Sequence, residues 1–254
     1  MEHAALESLA RRAEEAGLNA STPPQETRVE GWLLRLSPGK AKRSRCVNAL
    51  DEGTLPLNDL LDRCRLAFAK AGLPLIVRVT PYSQPSDLDT RLERMGWFAF
   101  DAADVMVRPT LADLPNGGAI ESVDARRYAE VVGLLRGSTR QEIDAHAERL
   151  ALAPVPYQGF FMFADGQLAA CGQLVVDGEM AGLFDVFTPP EQRRRGHAQR
   201  LCSALLQQAA AQGASSAYLQ VGSDNAAAQS VYRGLGFSFA YRYHYRSDDP
   251  AAAD

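Results

Sequence analysis

The sequence predicts an α/β protein with mixed sheets, divided into two domains. Three observations carry this: the length, the alternation of strand and helix patterns in both halves, and the return of one helix, strand, helix pattern late in the chain. At 254 residues the chain exceeds the roughly 100–150 residues of a typical single domain. Hydrophobic residues at 46% and charged residues at 23% match soluble globular proteins and leave out the disordered and membrane classes.

The elements follow in order. Ala4 to Ala16 has the Ala/Leu periodicity of an amphipathic helix. Val29–Leu36 and Arg45–Leu50 alternate like strands about a turn at Pro38-Gly39. A helix over Leu57–Ala71 stops at Gly72, and Leu75–Thr80 is a short apolar run suited to a buried strand. Asp87–Met95 is a helix closed by Gly96, and Trp97–Val107 is strand again. Pro109–Gly118, with two prolines and two glycines, reads as a linker. Beyond it come a strand near Ile120, helices over Ala125–Leu135 and Thr139–Leu152, and strands over Gly159–Ala164, Leu168–Val176 and Met180–Phe187. A helix over Gly196–Ala211 ends at Gly213, strand Ala217–Val221 follows, then helix Ala226–Leu235, then strands to Arg246. The domains expected are therefore 1–110, a linker over 111–118, and 119–246. Residues 247–254, Ala, Asp and Pro with little to bury, are expected to form a disordered tail.

The return of the pattern is close in register. Gly72 matches Gly213, Val79 matches Val221, and Met95-Gly96-Trp97 matches Leu235-Gly236-Phe237, at offsets of 141, 142 and 140 residues. Duplication of a half-domain or more explains so small a drift.

The chemistry concentrates between Phe184 and Ala198, where a strand runs into a turn rich in arginine (Arg193, Arg194, Arg195), then Gly196, His197 and Ala198 at the start of a helix. The first amides of a helix lack intrahelical acceptors and sit at the positive end of its dipole, so this is a ready place for a pyrophosphate. Gly196 and Ala198 keep side chains small where a ligand approaches the backbone, and the arginines add charge. The alternative is a solvated basic turn ahead of an ordinary amphipathic helix. The second piece is Leu219-Gln220-Val221, then Asn225, Tyr232 and Leu235-Gly236-Phe237. Asn225 suits a helix N-cap and Gly236 a left-handed C-terminal cap. Residues 225 and 232 are two helical turns apart and project from one side; the alternative is a capping Asn and a buried Tyr.

Together these residues resemble the GNAT N-acetyltransferases: Val-x-Thr-Pro before Arg-x-x-Gly-x-Ala, then Leu-Gln-Val, Asn, Tyr and Leu-Gly-Phe, in order and spacing. The likeness covers Tyr157–Arg246 by motif and Ile120–Pro156 by element order. It implies two GNAT-like domains, a complete C-terminal one and a degenerate N-terminal one, with acetyl-CoA as cofactor and an amine of a small molecule or protein as acceptor. It implies that the backbone of Val186, Phe187 and Thr188 holds the pantetheine arm, that amides from Arg194 to Ala198 hold the pyrophosphate, that Asn225 contacts the arm, and that Tyr232 protonates the departing thiolate. Arg194 stands where the family often has Gly. The base is less determined: Asp185, Glu179 and Glu142 are candidates, with Asp185 foremost because it adjoins Val186. His146, His197 and His244 read as structural or surface groups.

Under the repeat offset, Leu92 stands for Tyr232, Pro85 for Asn225 and the acidic run Asp51–Pro56 for the basic loop, so the first half is expected to bind no CoA. Trp32, Arg35, Arg43, Arg45 and Asn48 are its candidates for meeting a substrate. A formal charge of -4 gives no general attraction to nucleic acid. No window approaches the roughly 20 apolar residues of a membrane span. Cys46, Cys64, Cys171 and Cys202 lack paired spacing, which argues for reduced thiols and no metal site. A cytoplasmic enzyme, monomer or homodimer, is expected; the competing reading is an acyl-CoA-binding regulatory module without turnover.

Overall fold

The structure, a computed structural model, describes residues 2–253. Its seven α-helices are α1 (Glu2–Ala20), α2 (Leu57–Lys70), α3 (Leu88–Arg94), α4 (Ala125–Leu135), α5 (Arg140–Leu152), α6 (His197–Ala211) and α7 (Ala226–Gly234). The strands are β1 (Glu26–Val29), β2 (Trp32–Arg35), β3 (Val47–Ala49), β4 (Val77–Val79), β5 (Phe98–Arg108), β6 (Glu121–Val123), β7 (Tyr157–Ala164), β8 (Gln167–Asp177), β9 (Met180–Phe187), β10 (Ser216–Gly222) and β11 (Ser238–Ser247). Among the described residues no helix is long and apolar enough to cross a membrane.

Two compact units share the chain, and they do not follow its halves. One holds Met1–Ala20, Val105–Val221 and Asn225–Ala240; the other holds Ser21–Asp104, Gly222–Asp224 and Tyr241–Asp254. Helix α1, first in the chain, thus belongs with the later strands, and β5 and β11 each begin in one unit and end in the other.

In the first unit β6, β7, β8 and β9 run antiparallel to their neighbours, and β9 pairs in parallel with β10. A parallel pair needs a crossover, which α6 supplies. Helix α6 buries Leu201, Cys202, Leu205, Leu206 and Ala209, a spacing of three and four residues that makes one apolar stripe. Each fully buried leucine contributes about 1.5–3 kcal/mol, so this stripe anchors the helix whose N-terminus matters below. Residues 109–118 are not a loose linker: Leu111 is buried, Leu111 N donates to Ser215 O, and Gly118 N donates to Arg200 O. A Cβ at Gly117 would lie 2.5 Å from the Ala204 backbone, so only glycine lets the segment lie this close to α6.

The second unit repeats the scheme. Strands β1, β2 and β3 are antiparallel, β3 pairs in parallel with β4 through the crossover α2, and β11 closes on β4 antiparallel. The expected strand Val29–Leu36 is in fact a hairpin turn flanked by β1 and β2. Glu30 and Gly31 both have positive φ, 57° and 120°, the two-residue turn whose twist suits a hairpin. Its core gathers Trp32, Leu34, Leu60, Leu61, Phe68, Leu92 and Trp97.

The recurrence extends to the helix ends. Gly72 and Gly213 have φ of 67° and 93°, and Gly96 and Gly236 have 84° and 78°. Leu73 N bonds Phe68 O as Ala214 N bonds Ala209 O, and Trp97 N bonds Leu92 O as Phe237 N bonds Tyr232 O, all at 3.0 Å. These are six-residue closures around a left-handed residue. Ser247–Asp254, expected as a disordered tail, departs from that over the described residues. Ser247 Oγ donates to Leu75 O at 2.7 Å, and a 3-10 turn over Pro250–Ala253 buries Ala252. Small side chains were enough to pack there.

Candidate active site

The residues expected to bind acetyl-CoA or to move protons lie in the first unit, whereas Trp32, Arg35, Arg43, Arg45, Asn48 and His244 lie in the second. Parallel pairing of β9 with β10 runs from Met180↔Ser216 to Leu183↔Leu219, while β9 continues to Phe187 and β10 to Gly222. Past Leu183 the two strands carry no further ladder pairs among the described residues, which leaves main-chain groups of β9 available along that side. On its other side β9 meets β8 with a shift: Gln173 faces Phe184 and Cys171 faces Phe187. Two steps along β8 therefore match three along β9, a bulge containing Asp185 and Val186. Asp185 takes φ 51° there.

The bulge sends Asp185 into a cluster that spacing along the sequence did not reveal. Arg136, at the C-terminal end of α4, places Nη2 at 2.5 Å from Asp185 Oδ1. Asp185 Oδ2 is buried without a hydrogen bond. Burial pushes the carboxyl pKa up, opposed by the charges of Arg136 and Arg149. Tyr128 donates to Asp185 O at 3.2 Å, and its buried phenol is raised well above the usual tyrosine value, first by burial. Its ring stacks on Phe161 and stands edge-on to His146. Burial takes the His146 imidazole down to about 4, with Arg149 and Arg136 adding to the effect, and lifts the Cys171 thiol to about 12. At neutral pH this leaves two guanidiniums around one carboxyl. Only the link from Asp185 to Val186 was legible in the sequence; Arg136 carried no signal because its partnership depends on the bulge.

The turn after β9 is built by conformation. A 3-10 turn over Pro190–Gln192 leads to Arg193, Arg194 has φ 61°, and Gly196 has φ 77° as the N-cap of α6. The first helical bond is Arg200 N to Gly196 O. The main-chain amides of Arg194, Arg195, Gly196, His197 and Ala198 find no acceptor among the described residues. A Cβ at Gly196 would meet nothing within 4 Å, so the protein itself requires glycine there for its positive φ. Arg194, in the same left-handed region, carries a cost of about 1–2 kcal/mol. Its side chain is exposed, as are those of Arg193 and Arg195. Arg193 Nε donates to Thr188 O at 3.2 Å and Arg195 to Gln192 at 3.4 Å. His197 is buried, with Nδ1 at 2.8 Å from Arg200 Nη2. Burial and the two nearby arginines hold its pKa down, so it is a neutral acceptor. Thr188 Oγ1 is buried without a partner.

The other two named residues differ from one another. Asn225 caps α7, its Oδ1 accepting from Ala228 N at 3.1 Å, and is exposed, its side-chain nitrogen donating to no acceptor among the described residues. Tyr232 is buried in the core beside Phe237, with ring centroids 6.2 Å apart. Its hydroxyl makes no hydrogen bond among the described residues, and burial, with Cys202 next, raises its pKa beyond the ordinary range. Two candidate bases are otherwise engaged. Glu142 completes the capping box of α5 with Thr139, and Glu179, exposed at the far end of β9, faces Arg12 at 3.7 Å. His244 pairs with Asp89 in the second unit.

Residues 8–246 match the sequence model of a family described as "Probable histone acetyltransferase Rv0428c C-terminal". An "Uncharacterized N-acetyltransferase YobR" of Bacillus subtilis is 26% identical over 223 residues, covering 85% of this chain and 89% of that protein. Among solved structures, a GCN5-related N-acetyltransferase from Kribbella flavida superposes with a TM-score of 0.67 at 20% identity, over 95% of each chain. A tandem GNAT protein from the clavulanic acid biosynthesis pathway gives 0.54 at 17% identity, over 74% of this chain and 68% of that one. The two structures share the fold.

Proposed function

The chain belongs to the Rv0428c C-terminal family and is an acetyltransferase of the GNAT type, and from that premise we propose that it moves an acetyl group from acetyl-CoA directly to a primary amine of a small molecule or protein. One observation supports the assignment of the site: consecutive main-chain amides, Arg194 to Ala198, without acceptors among the described residues, at the positive end of α6 and beside the open side of β9. Such amides fit a pyrophosphate. The main chain of Val186, Phe187 and Thr188 would hold the pantetheine arm, with Asn225 Nδ2 as a further donor. When bound, acetyl-CoA supplies the activated acyl carbon and a thiol leaving group.

The remaining chemistry falls to two side chains. Asp185 takes the proton of the attacking amine; a carboxyl raised by burial is a stronger base than an ordinary one. Tyr232 gives its proton to the sulfur as the carbon–sulfur bond breaks and the carbon–nitrogen bond forms. Its raised pKa keeps it protonated, and therefore able to donate, throughout the neutral range. A panel of amines with acetyl-CoA, read by free thiol, tests the reading. Tyr232→Phe should lower kcat by about 10²–10⁴-fold, the usual worth of a positioned acid, with CoA affinity unchanged. Unchanged turnover would remove Tyr232 from the mechanism, and absence of thiol release with every amine would count against catalysis.

The second unit contributes no CoA site in this reading. At the corresponding turn acidic side chains take up amides: Glu30, from the β1–β2 turn, accepts through Oε2 from Thr54 N and Oγ1, and Asp51 Oδ1 accepts from Glu52 N. Leu92, in the place of Tyr232, is core.

A further inference from the structure

Asp185 lies among more positive charge than one carboxylate can answer, all of it in the first unit. Arg136 is paired with Asp185 Oδ1, and its guanidinium lies 5.3 Å from the Phe187 ring centroid. Arg149, on α5, has its guanidinium 5.2 Å from the Tyr157 centroid and makes no hydrogen bond or ion pair among the described residues. No acid stands three or four residues from it along the helix, where Ala145, His146, Leu152 and Ala153 lie. Both guanidiniums act on Asp185 and on the neutral His146. They therefore converge on one region and leave it a surplus of one positive charge once Asp185 is ionised.

The sheet beneath orders these groups. Directly opposed residues of antiparallel strands share a face. Phe187 opposes Cys171 and Tyr157 opposes Val175, while Gln173, between them on β8, is opposed by Gly159 and Phe184. The two arginines thus stand over the two ends of a short span of β8, and Gln173 occupies its middle on the same face. Tyr128 covers the bare Gly159 beside it, since a Cβ there would meet that ring at 2.7 Å. Gln173 is 1% exposed, and its Nε2 has no hydrogen-bond partner among the described residues; Asp185 Oδ2 is buried and equally unpartnered. One face therefore holds an acceptor without a donor, a donor without an acceptor and a guanidinium without an anion, each of which a ligand would satisfy. Arg136 is exposed, and Asp185, Phe187, Arg149 and Tyr157 are half-buried, so the group opens to solvent.

We propose that the acceptor is an amino acid, its amine at Asp185 and its carboxylate held by Arg149 with Gln173. This rests on the acetyl transfer proposed above and names its acceptor. In its reactive form, with amine neutral and carboxylate ionised, an amino acid carries one negative charge, which is what the two arginines and Asp185 leave unanswered. Guanidinium and amide N–H groups both donate to carboxylate oxygens. The products are the N-acetylamino acid and CoA, the amine proton passing to Asp185 and the Tyr232 proton to sulfur.

Thiol release from acetyl-CoA tests this with the protein amino acids, β-alanine and 4-aminobutyrate, each beside its carboxamide, and with 1,4-diaminobutane as an amine that has no carboxylate. Converting the carboxylate to an amide lowers the pKa of the amine and frees more of its neutral form, so a preference for the acid must come from the protein. At least one acid should exceed its amide in kcat/KM by about tenfold or more, and Arg149→Gln should bring that ratio close to one by raising KM for the acid. Calorimetric titration of the same acid into the CoA-saturated chain should show binding that Arg149→Gln weakens by a similar factor. Amides or the diamine used as well as the acids, or a ratio unchanged in Arg149→Gln, would overturn the choice of acceptor and leave acetyl transfer standing. Thiol release with no amine at all, while acetyl-CoA still binds, would instead overturn the transfer on which it rests. Should Arg149→Gln not fold, the comparison of acids with amides on the unaltered chain decides alone.

Discussion

Asp185 is held by three different constraints: a left-handed backbone, an arginine on one oxygen and burial without a partner on the other. Because burial raises its folded pKa above the unfolded value, its ionisation costs stability. That cost is absent below the unfolded pKa and grows as pH rises through the folded one. Asp185→Asn should therefore flatten this part of the stability curve, measured by denaturant midpoints across the acid range, while lowering kcat/KM by about 10²–10⁴-fold if the carboxylate is the base. In the parent chain the acid limb of kcat/KM should lie above the ordinary aspartate range. A limb at the usual aspartate position, or an active Asn variant, would assign the base elsewhere. Tyr232 could be picked out in the sequence because its neighbours Asn225 and Leu235-Gly236-Phe237 are local. The surroundings of Asp185 could not, since they depend on which residue of β8 faces which residue of β9.

At the scale of elements, the loop ahead of α6 separates the work of backbone and side chain. If the amides from Arg194 to Ala198 hold the pyrophosphate, the side chain of Arg194 is dispensable and its left-handed φ is a cost. Arg194→Gly should leave the KM for acetyl-CoA within about threefold, with stability unchanged or higher by up to about 1 kcal/mol once the freer unfolded chain is counted. Gly196→Ala, with φ 77° and open space around it, should cost about 1–2 kcal/mol and raise that KM as the amides turn. Thermal melts and steady-state kinetics check both, and a large loss of acetyl-CoA affinity in Arg194→Gly would shift the role to its guanidinium. Helix and strand positions here followed from periodicity and glycine punctuation; the hairpin at Glu30-Gly31 did not, because Glu-Gly is a weak turn signature. Residues 109–118 misled in the other direction: their prolines and glycines suggested a linker, whereas glycine serves at Gly117 to let the backbone approach α6.

For the whole molecule, one binding site for CoA is expected per chain, in the first unit. Calorimetry on the intact protein should give a stoichiometry of one, and two sites of similar affinity would contradict the account of the acidic turn at Asp51–Thr54. The intact chain is the proper subject, because a fragment of residues 1–110 contains α1, which belongs to the other unit, and lacks β11, which pairs with β4. The repeat was visible in sequence because its caps and aromatics are local signals. The allocation of the last strand was not, since it follows from pairing between residues such as Val79 and His244.

That allocation bears on synthesis. Until His244–Arg246 has been made and has paired with it, Val77–Val79 has a bare margin. Exposed margins of this kind template association between chains. A stop codon after Ala240 should therefore yield aggregates by size-exclusion chromatography, whereas one after Ser247 should remain far more soluble; equal solubility of the two would show that the nascent chain protects this margin by other means.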